Sequence, residues 1–200
     1  MEIFDISQEL FTCAVFPGDP APVREVLSRM DEGSLYNLTA FSMCAHNGTH
    51  IDAPYHFIAD GKTVEQIPLN KTVGMAYVAE HKGLLTGEDA RAILARASLA
   101  LRESSRRILI KGKAIVSYEA AQAFADYGVD LIGNESQTVG PEDGPAAVHQ
   151  LLLGKDVVLL EGIRLSHVPE GVYFLNAAPI CLGGADGAPC RAILVEWPLG

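Results

Sequence analysis

Positive charge is scarce in this chain. Fifteen lysines and arginines stand against 25 aspartates and glutamates, a formal charge of −10 over 200 residues. A surface of that sign repels phosphate backbones and argues against nucleic acid as a partner. No basic amphipathic stretch offers itself to a membrane surface. Long apolar runs are missing as well, and none approaches the ~20 residues that a membrane-crossing helix requires. MEIFDISQEL at the N-terminus lacks the basic and apolar regions of a secretory signal, so the expected location is the cytoplasm. Cysteine is sparse and scattered. Cys13, Cys44, Cys181 and Cys190 include no C-x-x-C pair, which predicts free thiols. Repeats and low-complexity blocks are absent. The hydrophobic content of 48% suits one compact domain, residues 1–200, with a sizeable core.

What is present is a succession of strand and helix signals. Strands are expected at EIFDIS (2–7), SLYNLTAFSM (34–43), TVGMAYVAE (72–80), RRILIKG (106–112), VDLIGNE (129–135), DVVLLEG (156–162), GVYFLNAAPI (171–180) and RAILVEW (191–197). FPGDPAP (16–22) reads as a loop. Helices are expected at 86–97, with Thr86 and Asp89 spaced as a capping pair, at 117–128 between Ser117 and Gly128, and at 145–154. A strand-rich first third followed by helix–strand alternation predicts an α/β or α+β domain with a mixed sheet. DGKT (60–63) ends like a phosphate loop, but His56 stands where that motif needs its first glycine.

The most unusual stretch is AHNGTHIDAPYHF (45–57), which gathers His46, His50, Asp52 and His56. Asn47-Gly48, the β-branched Thr49 and Ile51, and Pro54 oppose a helix. In a turn followed by an extended piece, His50 and Asp52 share a side, and Gly48 lets the chain fold His46 back towards them. Two imidazoles and a carboxylate suit Zn²⁺, Mn²⁺ or Fe²⁺ with positions left open for water. Two more polar residues need a reason for their place. Glu161 ends an apolar strand, where a carboxylate must be protonated, paired or metal-bound. His149 lies close to the apolar side of AAVHQLLLG. His81 and His167 sit in polar surroundings and read as surface residues. Cys44, two residues before His46, ends an apolar strand and is expected to be buried and inert.

HNGTHIDAPYHF resembles the H-x-G-T-H-x-D-x-P-x-H-F motif of the metal-dependent cyclase family, which holds bacterial kynurenine formamidases (arylformamidases) and, more distantly, isatin hydrolases. FPGDPAP, GKTVEQIPL, VDLIGNESQTVGPED, AVHQLLLGKDVVLLEG and GADGAPCRAILVE resemble further parts of it. The resemblance implies a swivelling β/β/α domain with a mixed sheet, a homodimer or homotetramer, and two Zn²⁺ ions per subunit, with Mn²⁺ as the alternative. It implies that His46, His50 and Asp52 hold one ion, that Asp52 bridges to a second held by His149 and Glu161, and that His56 is the general acid/base. Phe16 would sit where kynurenine formamidases carry an aromatic, often Trp, against the substrate ring. Glu135 and Gln137, in GNESQTVGPED where those enzymes have GID followed by Pro-Ser, would line a more polar pocket.

The reaction so implied is hydrolysis of an amide or formamide in a small molecule, N-formylkynurenine foremost. The altered loop keeps a cyclic amide, a lactone or another amide in play. A non-catalytic metal-binding protein of the same fold is a third reading, against which the retained His56 speaks.

Overall fold

The structure is a computed structural model that describes residues 1–196. Its strands, in chain order, are β1 (Ile3–Asp5), β2 (Val23–Ser28), β3 (Leu38–Ser42), β4 (His50–Asp52), β5 (Val73–Glu80), β6 (Gly83–Leu85), β7 (Arg107–Lys111), β8 (Ala114–Val116), β9 (Leu131–Asn134), β10 (Val158–Glu161), β11 (Gly171–Asn176), β12 (Gly187–Pro189) and β13 (Ile193–Val195). The α-helices are α1 (Leu69–Thr72), α2 (Gly87–Ala100), α3 (Tyr118–Tyr127) and α4 (Ala146–Gly154). Trp197, the expected end of the last strand, lies outside the described residues.

One mixed sheet runs in the order β1-β13-β11-β5-β7-β9-β10-β4-β12. Its centre, β5-β7-β9-β10, is parallel, and the arms on both sides are antiparallel. Helices α2, α3 and α4 make the three parallel crossovers. Successive crossovers step the same way across the sheet, so right-handed connections put all three helices on one face. RILIK, LIGN and VLLE are near-continuous apolar runs because strands at this centre are covered on both faces.

The helices start and stop where local chemistry dictates. Thr86 and Asp89 close a reciprocal capping box on α2, whose Ala90, Ile93, Leu94 and Ala97 are buried. Ser117 accepts from Ala120 N at the start of α3, and Gly128 ends it at φ 82°, in the left-handed region that glycine enters at little cost. One core packs these helices on Tyr77, Ile108, Ile110, Ile132 and Leu159. Phe124 is fully buried there, and such burial contributes about 1.5–3 kcal/mol relative to exposure.

On the opposite face Leu109 and Leu160 join Ile51 and Ala188 from one arm and Leu175 and Leu194 from the other in a single cluster. The sheet therefore curls until its two arms share a core. Four short strands have no clear sequence signal: β2, β12, and the three-residue β6 and β8, which pair only with each other. β12 contains Pro189, which a strand tolerates at the sheet edge, where β12 lies. β2 pairs only with β3 in a separate ribbon, so pairing, not an alternating pattern with a buried side, defines it.

Candidate metal centre

Side-chain alternation along two paired strands places the centre. Val158 and Leu160 of β10 face the helix-free core and Leu159 faces the helices, so Glu161 turns to the helix side as well. β4 pairs antiparallel to β10, with His50 opposite Glu161 and Asp52 opposite Leu159. Ile51 enters the helix-free core, which turns His50 and Asp52 onto the face of Glu161. There α4 adds His149, also buried.

His46 arrives from the turn before β4. Asn47 pins that turn, its side chain accepting from Cys44 N at 2.9 Å and donating to Pro20 O at 3.2 Å. Gly48 turns the chain at φ 66°. Across the pocket Gly187 is required for a different reason. A Cβ there would lie 2.7 Å from His46 Cε1 and 2.8 Å from Ile51 O, so only glycine leaves room for the ring.

The donor atoms converge on Asp52. His46 Nδ1 is 2.8 Å and His50 Nε2 3.3 Å from Asp52 Oδ1. His149 Nε2 is 3.1 Å from Glu161 Oε1 and 3.7 Å from Asp52 Oδ2. Two triads result, His46–His50–Asp52 and Asp52–His149–Glu161, each with its ligand atoms within 4.8 Å of one another. Both strand-borne and helix-borne imidazoles are oriented by backbone: Nδ1 of His50 donates to Gly48 O at 3.0 Å and Nδ1 of His149 to Pro145 O at 2.9 Å. Each thus presents Nε2 to the carboxylates, the arrangement that outer hydrogen bonds impose on metal-binding histidines.

Three features fit divalent cations. Asp52 is 1% exposed and its Oδ2 has no hydrogen-bond partner, a costly state for a buried carboxylate oxygen. Two buried carboxylates face each other's imidazoles without a lysine or arginine among them. The imidazole–carboxylate set matches Zn²⁺ or Mn²⁺ chemistry. Without a metal ion, protons balance the charge. Burial opposes the His50 imidazolium, but Asp52 and Glu161 outweigh it and hold the pKa up to about 10. The same contest, burial against Asp52, raises His46; burial against Glu161 raises His149. Asp52 is held well below the usual carboxylate range, burial being outweighed by His46 and His50.

His56 follows Pro54 in a single 3-10 turn, Pro54–His56. Its ring stacks on His46 at 4.0 Å between centroids, and its Nδ1 lies 3.2 Å from Asp186 Oδ2. Burial lowers its pKa, only partly opposed by Asp52. Asp186 also reaches His46 Nε2 at 2.9 Å. Asp186 has no local signature in GADGAP, because an acidic residue among glycines carries no periodicity and its partners are 130 and 140 positions away.

A cavity of about 380 Å³ opens onto this cluster, with Phe16, Phe57, Gln137, Thr138 and Cys44 in its wall. The structure thus brings together His46, His50, Asp52, His56, His149, Glu161, Phe16 and Gln137. Two expectations need correction. Glu135 does not reach the cavity: its carboxylate accepts from Gly112 N at 2.6 Å and Leu165 N at 2.8 Å, and it borders a separate cleft of about 880 Å³ with Lys113 and Arg164. β9 ends at Asn134 and residues 135–140 bend, so the two-residue spacing of Glu135 and Gln137 no longer sets them on one side as it would along a strand. Cys44 is half-buried at the cavity wall, beyond the last residue of β3, and its thiol donates to Asp19 Oδ2 at 3.9 Å. All four cysteines are free. Among the described residues no helix is long and apolar enough to cross a membrane.

Comparison with known proteins agrees with this architecture. Residues 4–141 match the model of the putative cyclase family. Kynurenine formamidase from Salinibacter ruber is 33% identical, with 99% of each chain covered; that from Erythrobacter litoralis is 34% identical, with 98% of this chain and 94% of the relative covered. A solved structure described as a potential metal-dependent hydrolase with cyclase activity superposes with a TM-score of 0.80 at 28% identity, covering 98% of this chain and 99% of the other. Isatin hydrolase A from Labrenzia aggregata shares the fold, with a TM-score of 0.81 at 23% identity, covering 98% and 94%. The chain belongs to the putative cyclase family.

Proposed function

We propose that this protein, read as one domain over residues 1–200, is a metal-dependent hydrolase that cleaves an amide or formamide C–N bond in a small molecule. The observation that carries the reading is Asp52: a buried carboxylate shared by two ligand triads, with one oxygen unpaired, beside a cavity that holds an imidazole outside both triads. His46, His50 and Asp52 would hold one ion; Asp52, His149 and Glu161 would hold a second. Zn²⁺ is the assignment, Mn²⁺ the alternative. When bound, such ions lower the pKa of water from about 15.7 to about 7 and polarise a carbonyl oxygen.

The chain's own groups bind, orient and move the proton. Phe16 packs against the substrate ring. Gln137 and Thr138 present a carboxamide and a hydroxyl whose atoms are buried without partners, and these are the groups left to meet the polar part of a substrate. His56, kept neutral by burial, takes a proton released from the attacking water and gives it to the nitrogen that leaves. The near-full-length similarity to kynurenine formamidases supports N-formylkynurenine as the substrate. The unpaired Gln137 and Thr138 favour a second reading, a cyclic amide such as isatin, or a lactone. Exposed Leu27 and Phe41 on the β2–β3 ribbon fit self-association as a homodimer or homotetramer.

The test is turnover of N-formylkynurenine, isatin and simple lactones by zinc- or manganese-loaded protein. Release of formate from the first establishes the reading, and absence of any C–N cleavage across the panel overturns it. For the preferred substrate, Gln137→Ala is expected to raise KM roughly 3–10-fold with kcat little changed, the weight of one neutral hydrogen bond of about 0.5–1.5 kcal/mol. An unchanged KM would remove Gln137 from the substrate contact.

Metal uptake should also be read in protons. Because His50 is held protonated up to about 10 in the metal-free protein, a cation must displace that proton. Zn²⁺ affinity is therefore expected to weaken as pH falls, about tenfold per pH unit for each proton released. Calorimetry in buffers of different ionisation enthalpy counts the protons, and a count of zero at pH 7 would contradict this assignment of His50.

A further inference from the structure

We propose that Asp186 is the positioning residue for the proton-carrying His56, an inference that rests on the amide-hydrolase reading above. Asp186 precedes β12, and its backbone carbonyl accepts from Ala53 N at 2.9 Å, one residue before the turn that bears His56. Its side chain then reaches over that turn. A single oxygen, Oδ2, lies 2.9 Å from His46 Nε2 and 3.2 Å from His56 Nδ1, while the two rings stack with their planes 28° apart.

A carboxylate oxygen only accepts, so both imidazole nitrogens facing it must carry hydrogen. Two consequences follow. His56 is fixed as the Nδ1–H tautomer, which leaves the Nε2 lone pair as its only basic site and the only nitrogen that can shuttle a proton. His46 is fixed with hydrogen on Nε2, so that Nδ1, which donates to Asp52 at 2.8 Å in the metal-free protein, is the nitrogen that can give up its proton to a cation. Asp186 thus does for His56 what the buried aspartate of a catalytic triad does for its histidine: it holds tautomer and ring orientation without touching the reacting atoms. The step it serves balances simply. Nε2 of His56 receives H⁺ from the attacking water, then delivers it to the amine nitrogen as the C–N bond breaks.

Asparagine at this position can offer an acceptor or a donor to His56 and no longer dictates the tautomer. Three measurements on Asp186→Asn test the inference. In ¹⁵N–¹H correlation spectra of metal-free and zinc-loaded protein, His56 should be Nδ1–H in the wild type and acquire Nε2–H character in the variant; an unchanged tautomer overturns the proposal whatever the activity. With the substrate class as read, kcat on a formanilide, whose amine must be protonated to leave, should fall about 10–100-fold. Because Asp186 also partners His46, metal affinity should weaken about 10–100-fold, so both proteins are compared at saturating Zn²⁺ with equal metal content. There KM should be preserved, and turnover of p-nitrophenyl formate, whose phenolate leaves without a proton, should fall less than about threefold. Equal losses on both substrates indicate a merely structural role and also overturn it. Finally, Asp186→Asn should add nothing further in a His56→Ala background; additive losses mean that Asp186 acts by another route. A wild type inert towards amides but with the expected tautomer change would overturn the hydrolase reading instead, leaving the positioning contact established.

Discussion

Asp52→Asn is expected to strip the protein of metal and abolish turnover. The substitution keeps the shape of the side chain but removes the one charge common to both ligand triads. Loss of an outer hydrogen-bond partner costs a metal site about 10–100-fold in affinity, and loss of a shared ligand should exceed that. The readout is elemental analysis together with a thermal melt. For the wild type, Zn²⁺ at a hundred times its Kd should add about 2.7 kcal/mol of stability, a rise of about 5–10 °C in Tm for a chain of this size. Asp52→Asn should show no rise. A variant that binds metal like the wild type would refute the shared-ligand assignment.

The metal-free proteins should differ too, and the sign can be worked out. The His50 pKa is raised in the fold, so its stabilising contribution is complete below its ordinary value of 6.5 and disappears as pH rises through about 10. The Asp52 pKa is lowered, so its contribution is present above 3.8 and disappears on acidification through its depressed value. Metal-free wild type should therefore lose stability at both ends. Asp52→Asn should flatten both limbs and, as a broken buried pair, start from a stability lower by about 3–5 kcal/mol.

His56→Ala has the second-largest expected effect, a fall in kcat of about 10²–10⁴ on amide substrates with metal content unchanged. The separation arises because His56 lies outside both triads built on Asp52, joined to them by stacking on His46, an edge contact with the His149 ring and a shared partner in Asp186. A His56–His46–Asp186 grouping is itself compact enough to hold an ion, so metal content is the informative control. If His56→Ala loses metal in step with activity, His56 is a ligand and the proton-transfer role is wrong. If the variant retains both metal and full turnover, the cavity does not use His56 at all.

Much of this was legible in the chain because the relevant signals are local. Thr86–Asp89 and Ser117–Gly128 mark helix ends through hydrogen bonds spanning a few residues. His50, Ile51 and Asp52 disclose a strand with an imidazole and a carboxylate on one side through the simple alternation of side chains. Even the turn at Gly48 follows from its neighbours. Glu161 stood out because a carboxylate ending VVLL has no ordinary reason to be there.

Other features had no local signature. Asp186 meets His46 and His56 only because β12 pairs with β4. Gly187 is needed because an imidazole from another part of the chain lies against its backbone. Glu135 and Gln137, two residues apart, were read as neighbours in one pocket, yet one ties two backbone amides together and the other lines the cavity. Sequence by itself determined which side chains are capable of metal and proton chemistry, and which short segments carry them as strand, helix or turn, since both are properties of residue type and spacing. Only the tertiary structure decided which carboxylate is shared, which nitrogen each imidazole offers and which aspartate holds His56, because those depend on strand register and on distances that sequence separation does not encode.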